Sequence, residues 1–176
     1  MSLLKEIERN KANVDTVFSR FMELRKVEVK EHDNYRFFQL LCETIMWIDI
    51  TNEWFFKNDK EDYTQRRLKE TTSINGKDIS YENLLLGIRF LFNTIKHNMK
   101  ITNISKPSIN NGFLSIRFVP SDEIDMEDKY KYEFPFKKPY EAYKAYVENE
   151  KVMDILRPIV DFLRDYFHEY EEITIS

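Results

Sequence analysis

One stretch of this sequence gathers side chains able to hold a phosphate and move a proton. It reads Leu84-Leu85-Leu86-Gly87-Ile88-Arg89-Phe90-Leu91-Phe92-Asn93-Thr94-Ile95-Lys96-His97-Asn98. At about 100° per residue of helix, Arg89, Asn93 and His97 fall at about 0°, 40° and 80°, and Lys96 and Lys100 return to about −20° and 20°. A helix that is apolar all round in its first turns therefore carries one narrow stripe of basic and amide groups. Burying such groups without partners is costly, so the stripe must face water, a second subunit or an anionic ligand. The plain reading is the solvated edge of a bundle helix. The chemical reading is an anion or RNA site, with His97 as the acid or base because imidazole titrates near neutrality.

The pattern Gly87-x-Arg89-x-x-x-Asn93-x-x-Lys96-His97 resembles the signature helix of HEPN domains. These are helical bundles, many of them metal-independent ribonucleases of bacterial toxin and defence systems. Their motif is an arginine, often followed by asparagine, with a histidine a few residues on. Asn93 and His97 match the Asn-x-x-x-His half. The downstream order is also similar to that of some bacterial HEPN-like proteins: a hairpin, then Tyr140-x-x-Tyr143-x-x-Tyr146, then a final helix. The resemblance runs over residues 80–167. One position departs from it, since Phe92 stands where the arginine before Asn93 is expected, and Arg89 lies further from His97 than the motif places it.

The resemblance implies a homodimer in which the stripes of two protomers meet at a cleft. In a catalytic version His97 would handle the 2′-hydroxyl proton, Arg89 would stabilise the phosphorane and Asn93 would orient either group. Lys96 and Lys100 would hold RNA, and neither metal nor cofactor is called for. The expected function is that of a bacterial defence or toxin–antitoxin protein that binds RNA or cleaves it without metal, with Phe92 pointing to a degenerate site. The alternative, favoured by Phe92 and by the acidic balance of the chain, is a non-catalytic helical dimerisation or protein-interaction module.

The elements that must position the stripe follow from periodicity. Leu3, Leu4, Ile7, Val14, Val17, Phe18, Phe21, Met22 and Leu24 recur at helical spacing and predict a helix over 3–30, with a break near Asn10–Asn13. Asp33 or Asn34 caps a second helix, 34–57, bearing Phe37, Phe38, Leu41, Ile45 and Ile48. A short polar helix is expected at 60–71, a turn at Asn75-Gly76, and a helix from Tyr81 to about Met99 capped by Ser80. Phe113 to Val119 has strand composition, and Tyr130-Lys131-Tyr132-Glu133-Phe134 alternates ring and charge, so the two are expected to pair as a hairpin with the rings on the bundle. The intervening loop, Asp122 to Asp128, lacks the glycine and ligand spacing of a calcium loop. A short helix at 141–147 and a last helix at 150–171, kinked or restarted at Pro158, complete the chain. The expected fold is an all-α, up-and-down multi-helix bundle with one small antiparallel hairpin inserted at about 112–135, forming a single domain over 1–176.

Composition sets bounds on function. A chain of 176 residues, 42% hydrophobic with 14 Phe and 10 Tyr, can bury a core without disulfides or metal. The net charge of −4 argues against a general nucleic-acid binder and leaves room only for a local basic patch. With 3 Gly there is no phosphate-cradling loop, and GxSxG and HExxH are missing too. No apolar run approaches the roughly 20 residues a membrane span needs. The start, Met1-Ser2-Leu3-Leu4-Lys5-Glu6, is not expected to be a signal peptide, and the single Cys42 rules out an intrachain disulfide, so a cytoplasmic setting is expected. Asp161, Asp165 and His168 share a helix face but are read as solvated rather than as metal ligands. Arg66-Arg67 with Lys69 is read as a solvated basic patch, Cys42 as a buried structural thiol, and Trp54-Phe55-Phe56 as core or as the lid of a bundle end.

Overall fold

The computed structural model describes residues 3–28, 34–98, 105–110 and 113–175. Its elements are α1 (Leu3–Lys26), α2 (Tyr35–Asn58), α3 (Lys60–Gln65), a 3₁₀ turn (Arg67–Lys69), β1 (Thr71–Ile74), β2 (Lys77–Ser80), α4 (Tyr81–Asn98), β3 (Ser105–Asn110), β4 (Phe113–Phe118), α5 (Lys129–Tyr132), α6 (Lys137–Tyr146) and α7 (Val152–Ile175). The protein is mostly helical, with two small antiparallel two-stranded sheets. No helix among the described residues is long and apolar enough to cross a membrane.

The apolar positions of α1 bury themselves as their spacing requires: Ile7, Val14, Val17, Phe21 and Leu24 all lie in the core. The helix does not break near Asn10–Asn13. Asn10 is instead carried into the core within an unbroken helix, and its amide has no hydrogen-bond partner there. In the same way α7 runs as one helix through Pro158.

The central element is α4. Its N-terminal half is sealed on several sides, with Leu84, Leu85, Ile88 and Leu91 all buried, and it packs on α2, α6 and α7. The Ser80 hydroxyl accepts the Asn83 amide N–H at 3.3 Å, which caps the first turn. At Gly87 the backbone of α6 approaches closely. A Cβ built there would sit 2.6 Å from Val147 Cγ2 and 3.4 Å from Tyr143 Cα, so only hydrogen fits without displacement.

The strands differ from expectation in two ways. First, the described residues form two hairpins. Asn75 and Gly76 both have positive φ, 51° and 79°, as a tight two-residue hairpin turn demands, and they join β1 to β2 with Thr71 opposite Ser80. Second, β4 pairs with β3, Ser105 opposite Phe118 and Asn110 opposite Phe113, and not with 129–134. The other edge of β4 is already taken at its end: Phe118 N–H donates to the Glu150 carbonyl at 3.0 Å, and the Phe118 carbonyl accepts from Asn149 N–H at 2.9 Å. Residues 129–132 form a short helical turn instead. Two of the rings expected on the bundle there are open, Tyr132 at 64% and Phe134 at 93% exposure, and the Tyr130 side chain lies outside what the structure describes.

Candidate functional site

The stripe on α4 lies between α2 and α6. On one side Arg89 reaches α2. On the other, Gly87 meets Tyr143 and Val147, and Phe90 packs on Tyr140 at 5.5 Å and Tyr143 at 4.8 Å. Along the open face Lys96 and His97 are exposed and Asn93 is half-buried. Phe92 is partly buried and packs on the core. Lys100 falls outside the described residues.

Arg89 is engaged by two carboxylates of α2. Its Nε donates to Asp49 Oδ1 at 2.7 Å, and a terminal nitrogen donates to Glu53. Asp49 and Glu53 stand four residues apart, so both point from one face of α2 at the same guanidinium. The Asp49 side chain is only 8% exposed. Burial pushes its carboxyl above the ordinary value, with Arg89 first and Lys96 more weakly pulling it back down. For Arg89, burial works against the cation, but the Asp49 charge and the bonds to both carboxylates outweigh it and hold the guanidinium firmly protonated. A cleft of about 230 Å³ opens beside this group, lined by Asn52, Glu53, Phe56, Leu85, Leu86 and Arg89 among others.

This arrangement limits what the stripe can do. An arginine already bonded to two carboxylates must give up those bonds before it can grip a phosphate, and its charge is more than matched by Asp49 and Glu53. Lys96 and His97 remain at the surface, where an anion would meet them in water. The structure thus brings Arg89 and Lys96 toward a shared acid, Asp49, and sets His97 further along the open face.

Asp49 and Glu53 carry the electrostatics of the site and were not singled out by sequence reasoning. A signal existed: α2 is strongly apolar, and Asp49 interrupts it between Ile48 and Ile50, one turn before Glu53. A carboxylate in the buried half of an apolar helix requires a partner, and Arg89 is that partner.

The remaining candidates are structural. Arg66 bonds Asp62 at 2.7 and 2.9 Å, Arg67 bonds Glu70 at 2.9 Å, and both reach Glu169, so the two arginines of the basic patch are paired in place while Lys69 is exposed. Arg67 also lies over the Phe162 and Tyr166 rings. Asp161 and Asp165 flank Arg164 at 3.7 and 3.8 Å, and among the described residues no cluster of His, Cys, Asp and Glu could hold a metal. Cys42 is half-buried against the core, and burial, reinforced by Glu43, pushes its thiol up to about 12. Phe55 is fully buried among Tyr63 and Tyr166, Trp54 is partly buried, and Phe56 is 42% exposed at the cleft.

Comparison of the chain with family models, with curated proteins and with solved structures gives no match.

Proposed function

We propose that this chain is a HEPN-like helical bundle of bacterial defence or toxin–antitoxin type that binds RNA along the open face of α4 and cleaves it weakly or not at all. The observation that carries this reading is the engagement of Arg89 by Asp49 and Glu53. Cleavage through a phosphorane needs a cation free to meet developing negative charge. Arg89 is committed elsewhere, and Phe92 occupies the other position from which an arginine could act. Exposed His97 and Lys96, with Asn93 between them and Arg89, support the binding half. The motif resemblance supports a homodimer with two such faces at a common cleft, and the lone cysteine supports a cytoplasmic setting.

A second reading has its own observation. Phe56 and Ile50 are exposed on α2, and Phe56 borders the cleft beside Arg89. Exposed apolar groups rimmed by charge suit a protein partner, so the same face would serve a non-catalytic interaction module.

The test uses purified protein and single-stranded RNA without metal, comparing wild type with His97→Ala and Phe92→Arg. The proposal expects measurable binding by wild type, weakened in His97→Ala, with cleavage near background. Robust wild-type cleavage abolished by His97→Ala would overturn the non-cleaving half. No binding by any variant would reject RNA and favour the interaction module.

A further inference from the structure

The segment from Lys129 to Tyr140 holds four lysines and five aromatic rings against one glutamate, in a chain of net charge −4. Two of its rings point outward: Phe134 is 93% exposed and Tyr132 64%. Bare rings contribute little to folding and mark a contact surface. The base of the segment is anchored. Pro139 is buried, and Tyr140 packs on Phe90 of α4 at 5.5 Å and on Tyr132 at 6.2 Å. Because Gly87 meets Val147 and Tyr143 while Phe90 meets Tyr143 and Tyr140, α6 runs antiparallel to α4. The start of α6 therefore lies on the C-terminal side of Phe90 along α4, and residues 129–136 lead into it through a turn in which the Phe136 and Lys137 amides donate to the Glu133 carbonyl. Lys129 bonds Glu127 at 2.7 Å and Lys137 lies 3.8 Å from Glu141, whereas Lys131 and Lys138 have no carboxylate partner among the described residues.

We infer that this segment is a stacking platform for single-stranded RNA, one base on Tyr132 and one on Phe134, with Lys131 and Lys138 on the flanking phosphates. The inference rests on the RNA reading of the α4 face and names the form of RNA it takes. Every base offers a π-face, and lysines meet phosphates without reading sequence, so binding is indifferent to sequence and sensitive to salt. Duplex RNA keeps its bases stacked on one another and unavailable to the rings. An anionic bilayer would also attract rings and lysines. The preceding turn argues against it: five carboxylates stand between Asp122 and Asp128, of which Glu123 is tied to Lys106 and Glu127 to Lys129. A broad negative surface would press on that turn, while a single strand can pass beside it. The strand's path then continues along Lys96 and His97.

The experiment is fluorescence anisotropy of a labelled single-stranded oligoribonucleotide against the full chain over a range of salt. Wild type is compared with Tyr132→Ala/Phe134→Ala, Lys131→Gln/Lys138→Gln and His97→Ala, each checked for an unchanged melting temperature. The ring variant should lose roughly 30-fold or more in affinity, as expected when two stacked bases are released. The lysine variant should lower the log–log salt slope by about 1.4, that is about 0.7 per phosphate for a single strand. Wild-type binding that is weakened by His97→Ala but unmoved by the ring and lysine variants would overturn the platform and leave the α4 reading standing. No wild-type binding would remove both. Cosedimentation with phosphatidylserine vesicles that depends on Phe134, without RNA binding, would make the segment a membrane contact and also overturn the inference.

Discussion

Arg89 sits between two carboxylates in unequal surroundings. The Asp49 side chain is nearly sealed at 8% exposure, while Glu53 is open at 37%. Burial dominates at Asp49, so its folded pKa lies above the ordinary 3.8. The folded state therefore holds that proton more tightly than the unfolded chain does. Its contribution to stability is greatest in acid and is lost as pH rises from about 3.8 through the folded value. Asp49→Asn removes the titration. The stability of wild type relative to Asp49→Asn, from urea unfolding at a series of pH values, is predicted to fall as pH rises across that window, and a rise would contradict the assignment. Cys42 gives a second test at this scale. A thiol pushed up to about 12 is almost never thiolate at pH 8. Alkylation of Cys42 in the native protein is predicted to be about two to three orders of magnitude slower than in urea, where thiols titrate near 8.5. Comparable rates would mean that the side chain is open. The polar stripe on α4 was legible from residue types and helical angle alone. The partners of Arg89 were not, because the pairing joins positions 36 and 40 residues away in sequence, and only packing of α2 on α4 reveals it.

At the scale of elements, the α4–α6 contact is the one most sharply specified. Adding a methyl at Gly87 forces Val147 Cγ2 away from a position 2.6 Å off, with the Tyr143 backbone a further neighbour at 3.4 Å. Overpacking of this kind costs about 1–3 kcal/mol, and the better helix propensity of alanine returns at most about 1 kcal/mol. Gly87→Ala is predicted to destabilise the fold by about 1 kcal/mol in chemical unfolding, and Val147→Ala in the same chain to relieve part of that loss. A stabilised Gly87→Ala would mean that the helices are further apart. The long helices were readable because their apolar spacing is sustained over many turns. The strands were not. β3 reads Ser-Lys-Pro-Ser-Ile-Asn, with neither alternation nor β-branched content beyond Ile109, and it pairs only because β4 offers it an edge. Residues 130–134 do alternate ring and charge, but Tyr132 and Phe134 are held out to solvent at a short helical turn and do not line a buried strand face.

The whole molecule is a mostly helical protein of net charge −4 with a polar stripe on its central helix and a lysine- and ring-rich segment over residues 129–140. Among the described residues several arginines are paired in place, Arg66 and Arg67 with Asp62, Glu70 and Glu169, and Arg89 with Asp49 and Glu53. Affinity for a polyanion therefore depends on a few local groups rather than on net charge. The most direct test of this balance is the RNA affinity of Asp49→Asn/Glu53→Gln beside wild type, with both proteins shown to fold. Removing the two carboxylate charges frees Arg89 to make a charge-assisted bond, worth about 1.5–3 kcal/mol. Single-stranded RNA binding is predicted to tighten by about tenfold or more, with the gain erased when Arg89→Gln is added. Unchanged or weaker binding in the double variant would contradict it, because Arg89 would then not be the cation that the two carboxylates hold back.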